Sequence, residues 1–437
     1  MLDDEDGLLS GNCMVIVCRC PLPLRGRFHR ARKKNCAMIF KPLLILLLMA
    51  SCASAREPWL RHTIDCSSQG ADGVRLTDVN TDGLPDLVTP WEEGGLVRVY
   101  IHPEPAEVRR PWPHVTVGHV ASPEDAVLVD LDGDGAMDVV SSCEGMTKTM
   151  FVHWAPRPAE DYLKASRWRT QPIPITVGKQ AWMFALPKDM DGQRGVDLVV
   201  ASKGPGAGVG WLESPPNPRA LHCWKYHRLL DAGWIMSLID AKRDQDPVGG
   251  ILVSDRRGTL RGIKLLADSD RQRPAPDPAW REHALGGEHH EVMFIDYADL
   301  NHDGRKEVVA ATHQREILVL QRNHDNTWET ITISAPYGAR KGKAVRVGDI
   351  DLDGVVDLVH STEPNPDPRT PGITWIKGPL IKDGEPIIHP ISNLEGSKFD
   401  LIQLIDVDRD GDLDVLTCEE RDNLGVVWYE NPVRSLP

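Results

Sequence analysis

Five nine-residue segments share one arrangement of oxygen-bearing side chains: DVNTDGLPD (78–86), DLDGDGAMD (130–138), DLNHDGRKE (299–307), DIDLDGVVD (349–357) and DVDRDGDLD (406–414). Positions one, three, five and nine are Asp78, Asn80, Asp82 and Asp86 in the first and Asp130, Asp132, Asp134 and Asp138 in the second. They are Asp299, Asn301, Asp303 and Glu307 in the third, and Asp349, Asp351, Asp353 and Asp357 in the fourth. The fifth has Asp406, Asp408, Asp410 and Asp414. Side chains at one, three and five of a tight loop converge inward, and Gly at six permits the positive φ that the turn needs. A backbone carbonyl at seven and a carboxylate at nine would complete an oxygen cage of the size that calcium prefers. The eighteen carboxylates at these positions would repel one another without a cation, so Ca2+ is the expected cofactor. The flanks read as strands and no Glu stands at position twelve, which excludes an EF-hand. Two worn copies begin at Asp189, with Gln193 at position five, and at Asp240, with Lys242 at position three. Neither is expected to be an intact metal site.

The elements that hold these loops repeat. Including the worn copies, successive loops start 50 to 59 residues apart, giving seven units of the size of a four-stranded propeller blade. In the fifth unit, 292–300 reads as strand A, 307–312 as B, 316–321 as C and 328–333 as D, with the acidic loop between A and B. Third strands recur as VGWLESP (209–215), ITWIKGP (373–379) and VVWYENP (426–432); fourth strands recur as WPHVTV (112–117), WKYHRLL (224–230) and WREHAL (280–285). These indoles read as packing between blades. WLRHTI (59–64) is a D-type strand with no A, B or C before it, and the last recognisable strand, 426–429, is a C-type. The expected fold is therefore all-β: a seven-bladed β-propeller over residues 56–437, closed non-covalently by the N-terminal strand in the last blade.

The acidic loops, each followed by an Asp- or Glu-led apolar strand, resemble the FG-GAP/VCBS repeat family, whose relatives include the integrin α-subunit propellers. The resemblance runs from about Trp59 to Tyr429. It implies calcium at the A–B turn of the five intact loops. The Phe-Gly and Gly-Ala-Pro signatures are absent, so integrin ligand preferences do not transfer.

Strand order places the A–B and C–D turns at one end, and the B–C and D–A loops around the channel mouth at the other. The mouth collects Glu124, Lys203, His313, Glu363, Lys398, Asp400 and Glu419 among others. The expected ligand site uses Trp182 and Trp234 as stacking platforms and His290, Lys343 and Arg256 as polar contacts. The expected function is a binding or scaffold module for a glycan or an extracytoplasmic protein, acting as a monomer. The alternative is a polysaccharide lyase or hydrolase on the same face, with His290 or His313 as base. No G-x-S-x-G, H-E-x-x-H, P-loop or dinucleotide fingerprint occurs.

The first 55 residues read as a leader. A basic run (Arg25, Arg27, Arg30, Arg32, Lys33, Lys34) precedes the apolar block LLILLLM (43–49) and the small-residue site Ala53-Ser54-Ala55. Translation from Met38 would give a signal of ordinary length, and Cys52 offers a lipid-anchor alternative. The expected location is secreted, periplasmic or at the cell surface. The apolar block is too short for a permanent span. Eight Lys/Arg against four Asp/Glu precede residue 56, making the remainder more acidic than the whole chain's net −14. No basic stripe with interleaved aromatics suggests nucleic acid. Four cysteines (Cys66, Cys143, Cys223, Cys418) follow the leader, in no zinc or haem spacing.

Overall fold

The computed structural model describes residues 57–435 apart from 194, 242–249, 266–279, 315, 324, 326, 336–340, 364–369 and 381–385. The leader, with Met38 and Cys52, lies outside the described residues, as does most of the worn loop after Asp240.

Seven antiparallel four-stranded sheets form a ring. The first six blades run A to D in chain order; blade 1 is Arg75–Thr77, Asp86–Trp91, Leu96–Tyr100 and His114–His119. The seventh is Phe399–Ile405, Asp414–Glu419 and Gly425–Glu430, completed by Leu60–Asp65 from the start of the propeller. His62 lies opposite Trp428 and Arg61 opposite Tyr429, so the N-terminal strand closes the ring as the sequence predicts. The fifth blade's strands are Val292–Ala298, Glu307–Thr312, Glu316–Arg322 and Trp328–Ser334, within two residues of the sequence reading.

B strands are buried on both faces, as expected for strands sandwiched between neighbouring blades; Asp86–Trp91, Glu307–Thr312 and Asp414–Glu419 are buried at every position. The C-strand indoles Trp211, Trp375 and Trp428 pack into this interior. Each stacks on the His directly opposite in strand D: His227, His389 and His62, all with ring centroids 4.5 Å apart. A W-x-x-H signature in WLRH, WKYH and WREH announces two of these histidines. The four cysteines of the propeller are free thiols. Among the described residues no helix is long and apolar enough to cross a membrane.

Candidate functional sites at the two ends of the propeller

At the end carrying the A–B turns, each intact loop is closed by its own carboxylates. In the first, the Gly83 amide donates to Asp78 at 2.9 Å and the Leu84 amide to Asp82 at 2.8 Å. The bond from Gly at six to Asp at one recurs in the other four, from Gly135, Gly304, Gly354 and Gly411, at 2.9–3.1 Å. Two positions are left-handed: the Gly at six, as predicted, and also position four. There Thr81, His302, Leu352 and Arg409 carry φ between 57° and 62°. Among the described loops only Gly133 and Gly192 occupy that slot without penalty, and they were the overlooked sequence signal. Leu352 is 39% exposed, so it has little packing to lose. Leu352→Asn should therefore stabilise the fold by about 0.5–1 kcal/mol, read as a raised melting temperature; an unchanged or lowered value would contradict strain at that position.

Position nine anchors the turn to its neighbour. Asp86 accepts the Val79 amide and, across the turn, the His102 amide, both at 2.8 Å. Asp414 does the same with Val407 at 2.9 Å and Asn431 at 2.8 Å, and Asp138 and Asp357 repeat the pattern. This carboxylate ties the A–B loop to the end of strand C, which places both turns at one end of the propeller. The worn loop keeps it, with Asp197 accepting from Met190 and Ser214. Burial pushes the Asp86 carboxyl up to about 6, Asp138 to about 7 and Asp414 to about 8, against amides that favour the charged form.

The donor set fits a hard cation. Carboxylate oxygens of Asp130, Asp132 and Asp138 lie within 4.8 Å of one another, as do those of Asp349, Asp351 and Asp353. Oδ1 of Asp351 and Oδ1 of Asp406, at positions three and one, are buried oxygens without a hydrogen bond. Asp189, Asp191 and Asp197 of the worn loop also converge, despite Gln193. Side-chain cations meet several of these carboxylates: Lys377 contacts Asp351 and Asp353, Arg219 contacts Asp132 and Asp134, and Arg109 contacts Asp408.

At the opposite end lies a channel mouth of about 360 Å³, and eleven of its eighteen lining residues are charged. Trp234, Arg256 and Lys343 all line it, which brings together three of the five residues singled out from the sequence. Trp182 does not reach it. Only 2% exposed, it lies between blades, its indole N–H donating to the Thr176 carbonyl and its ring edge-on to Tyr226. His290 also lies outside the mouth, engaged with Glu316 at 3.0 Å. Trp234 is in place, half-buried and flanked by cations. Arg256, Lys203 and Arg257 lie 4.6, 4.8 and 5.3 Å from its ring centroid, so the indole supports cations.

These cations sit in an internal network. Lys203 pairs with Glu124 at 2.7 Å and also contacts Glu144; Lys343 pairs with Asp400 at 2.9 Å and Glu363 at 3.1 Å. Burial works against the Lys343 charge, but the surrounding Asp400, Glu363 and Asp72 carboxylates hold its pKa above the ordinary lysine value. His313 is clasped by Glu291 at 2.8 Å, Glu363 at 3.1 Å and Arg256 at 3.1 Å. Asp72, Glu92 and Glu420 were missed in the sequence reading. They sit beside these groups without a motif to mark them.

The profile of the FG-GAP-like repeat matches residues 78–141 and 299–360. The protein is thus a seven-bladed β-propeller carrying FG-GAP-like repeats, and both matches begin on an intact acidic loop. No curated protein matches the chain. Among solved structures it is similar to the BBS1N chain crystallised in complex with ARL6DN. A mercury-soaked crystal gives 10% identity, a TM-score of 0.47 and coverage of 85% of this chain and 96% of that one. A lead-soaked crystal gives 11%, 0.45, 86% and 98%.

Proposed function

We propose that this is an exported propeller whose blades are stapled by calcium in the A–B loops and whose channel mouth binds a glycan or an extracytoplasmic protein. The observation that carries the binding role is the charged mouth itself, where Arg256 and Lys203 are held over Trp234 at the top of an open cavity. Concave sites with a few fixed polar groups are where ligands bind, and prearranged cations suit carboxylate or sulfate groups. Calcium is supported by five matching donor sets and by the orphaned oxygens of Asp351 and Asp406. Export is supported by the basic run, the apolar block and Ala53-Ser54-Ala55.

An array of acidic and neutral glycans, with extracytoplasmic protein extracts as a second arm, tests the binding role. Trp234→Ala removes the support of three cations and should weaken ligand binding at least tenfold, or about 1.4 kcal/mol. Trp182→Ala should lower the melting temperature and leave ligand affinity unchanged, because its indole fills space between blades. Equal loss of affinity in both variants would mean that the mouth is not the binding site.

A further inference from the structure

Position three of the intact loops is Asp in three blades and Asn in two, and a side-chain cation accompanies each Asp. Lys377, at the end of strand C in the sixth blade, contacts Asp351 of its own loop and reaches Asp353 at 2.6 Å. Arg219, from the C–D connection of the third blade, contacts Asp132 in the second and reaches Asp134 at 3.3 Å. Arg109, from the C–D connection of the first blade, contacts Asp408 in the seventh. The side chains of Asp408, Asp132 and Asp351 are 5%, 6% and 9% exposed, a depth at which an uncompensated charge is costly. The first loop differs. Among the described residues no cationic side chain touches Asp78, Asn80 or Asp82, and the Asn80 amide itself donates to Asp82 at 2.8 Å. Position nine accepts the His102 amide in the first blade and the Gly378 amide in the sixth, which aligns Ile101 with Lys377. The same strand end thus carries an aliphatic residue where position three is Asn and an ammonium where it is Asp.

Charge gives this pairing a consequence for the ion. An ammonium beside a cation site repels the ion, and one that shares a carboxylate with it competes for that group. Lys377 bonds Oδ2 of Asp351, while the buried Oδ1 has no hydrogen bond, so a donor atom remains for the ion although the net charge of the loop falls by one. Four carboxylates offset by one cation match the three carboxylates of the loops with Asn80 and Asn301. Arg157 makes a further contact on Asp134, from a side chain 75% exposed, where solvent screening discounts its charge. We propose that Lys377, and in the same way Arg219 and Arg109, are positioning residues that offset the position-three charge and hold the calcium affinity of an all-Asp loop near that of a loop with Asn. This rests on the calcium reading above and adds the residues that set the affinity.

The test counts ions. Full-length protein is dialysed against a series of free calcium concentrations, and bound calcium per chain is measured by elemental analysis. Lys377→Met should tighten one ion about tenfold. It should also lower the melting temperature in chelator, because the converging carboxylates of Asp349, Asp351 and Asp353 lose their cation. Lys377→Arg keeps the charge and should keep the wild-type affinity. In an Asp349→Ala background, which takes a ligand from the same loop, Lys377→Met should change no affinity. A lysine that only braces the turn predicts the opposite sign, since its loss would loosen position three and weaken the ion. Unchanged or weakened binding in Lys377→Met would overturn the proposal, as would equal tightening in Lys377→Arg or a shift that persists with Asp349→Ala. A wild-type chain that binds no calcium would instead overturn the calcium reading, and this proposal with it. The two failures are therefore distinguishable.

Discussion

Chelating calcium should lower the melting temperature of the protein by more than about 10 °C. A ligand that binds only the folded state stabilises it by about 2.7 kcal/mol at a hundred times its dissociation constant, and five A–B loops would each add such an increment. Per kcal/mol the shift in a chain of this size is on the order of 1–3 °C, so the summed effect is large. Without the ion, each loop must hold three or four carboxylates together, and Asp414 and Asp138 are also buried. Differential scanning calorimetry with and without chelator measures the effect directly. Single variants then locate it. Asp408→Ala should reduce stability more than Asp191→Ala, because Asp408 stands in an intact loop and also anchors Arg109, which bridges to Glu430 in the closing blade. Asp191 serves a loop whose position five is Gln193. Coincident melting curves with calcium and with chelator would refute the staple.

The blades were legible because one local rule repeats. An oxygen at every second loop position, a Gly at six and an apolar strand beginning at nine each follow from backbone geometry within a dozen residues. Ring closure was legible too, since a D-type strand without its blade has only one place to pair. The mouth was harder, because facing there depends on alternation along single strands. Glu419 was read as a mouth residue, but it is fully buried, its carboxylate accepting the amides of Ser397, Lys398, Arg421, Asp422 and Leu424. Its neighbour Glu420 lines the cavity instead. In a strand-to-loop transition one residue reverses the face, and sequence spacing alone does not fix that phase. Trp182 and Trp234 were separated by the same effect. The first lies within strand A (Ala181–Lys188), beside a register shift between Trp182 and Phe184, whereas the second precedes its strand A (Ile235–Asp240) and bridges to Lys203. Asp72 enters ahead of a three-residue strand with no motif around it, and only the assembled ring brings it to Asp400 and Glu420.

Removing residues 57–65 should abolish cooperative folding of the ring at physiological temperature. The excised strand buries Ile64 completely and Trp59 almost completely, and His62 stacks on Trp428 while bonding Glu430 at 2.7 Å. Loss of a buried Ile and a buried Trp amounts to about 5–10 kcal/mol by comparison with truncation of such side chains in other cores. That is comparable with the whole stability of a typical domain. Two further ties would go with it. Asp65 receives Arg98 at 2.6 Å and the Tyr100 hydroxyl at 2.8 Å, and these bonds join the last blade to the first. Burial opposes the charged form of Asp65, but hydrogen bonds from Ser67 and Tyr100 and the Arg98 charge hold its pKa below the ordinary aspartate value. The deletion would also bare the edge of Gly425–Glu430, where Val426, Val427, Trp428 and Tyr429 are all fully buried in the closed ring. An unpaired apolar strand edge recruits other chains, so the truncated protein should elute as aggregate in size-exclusion chromatography. A synthetic peptide of residues 57–67 should restore the wild-type elution volume and melting transition by occupying the vacant edge. Ile64→Ala is the milder form of the experiment, expected to reduce stability by about 2–5 kcal/mol with the ring still closed. A truncated chain that melts at the wild-type temperature, and that the peptide leaves unchanged, would mean the seventh blade does not depend on its N-terminal strand.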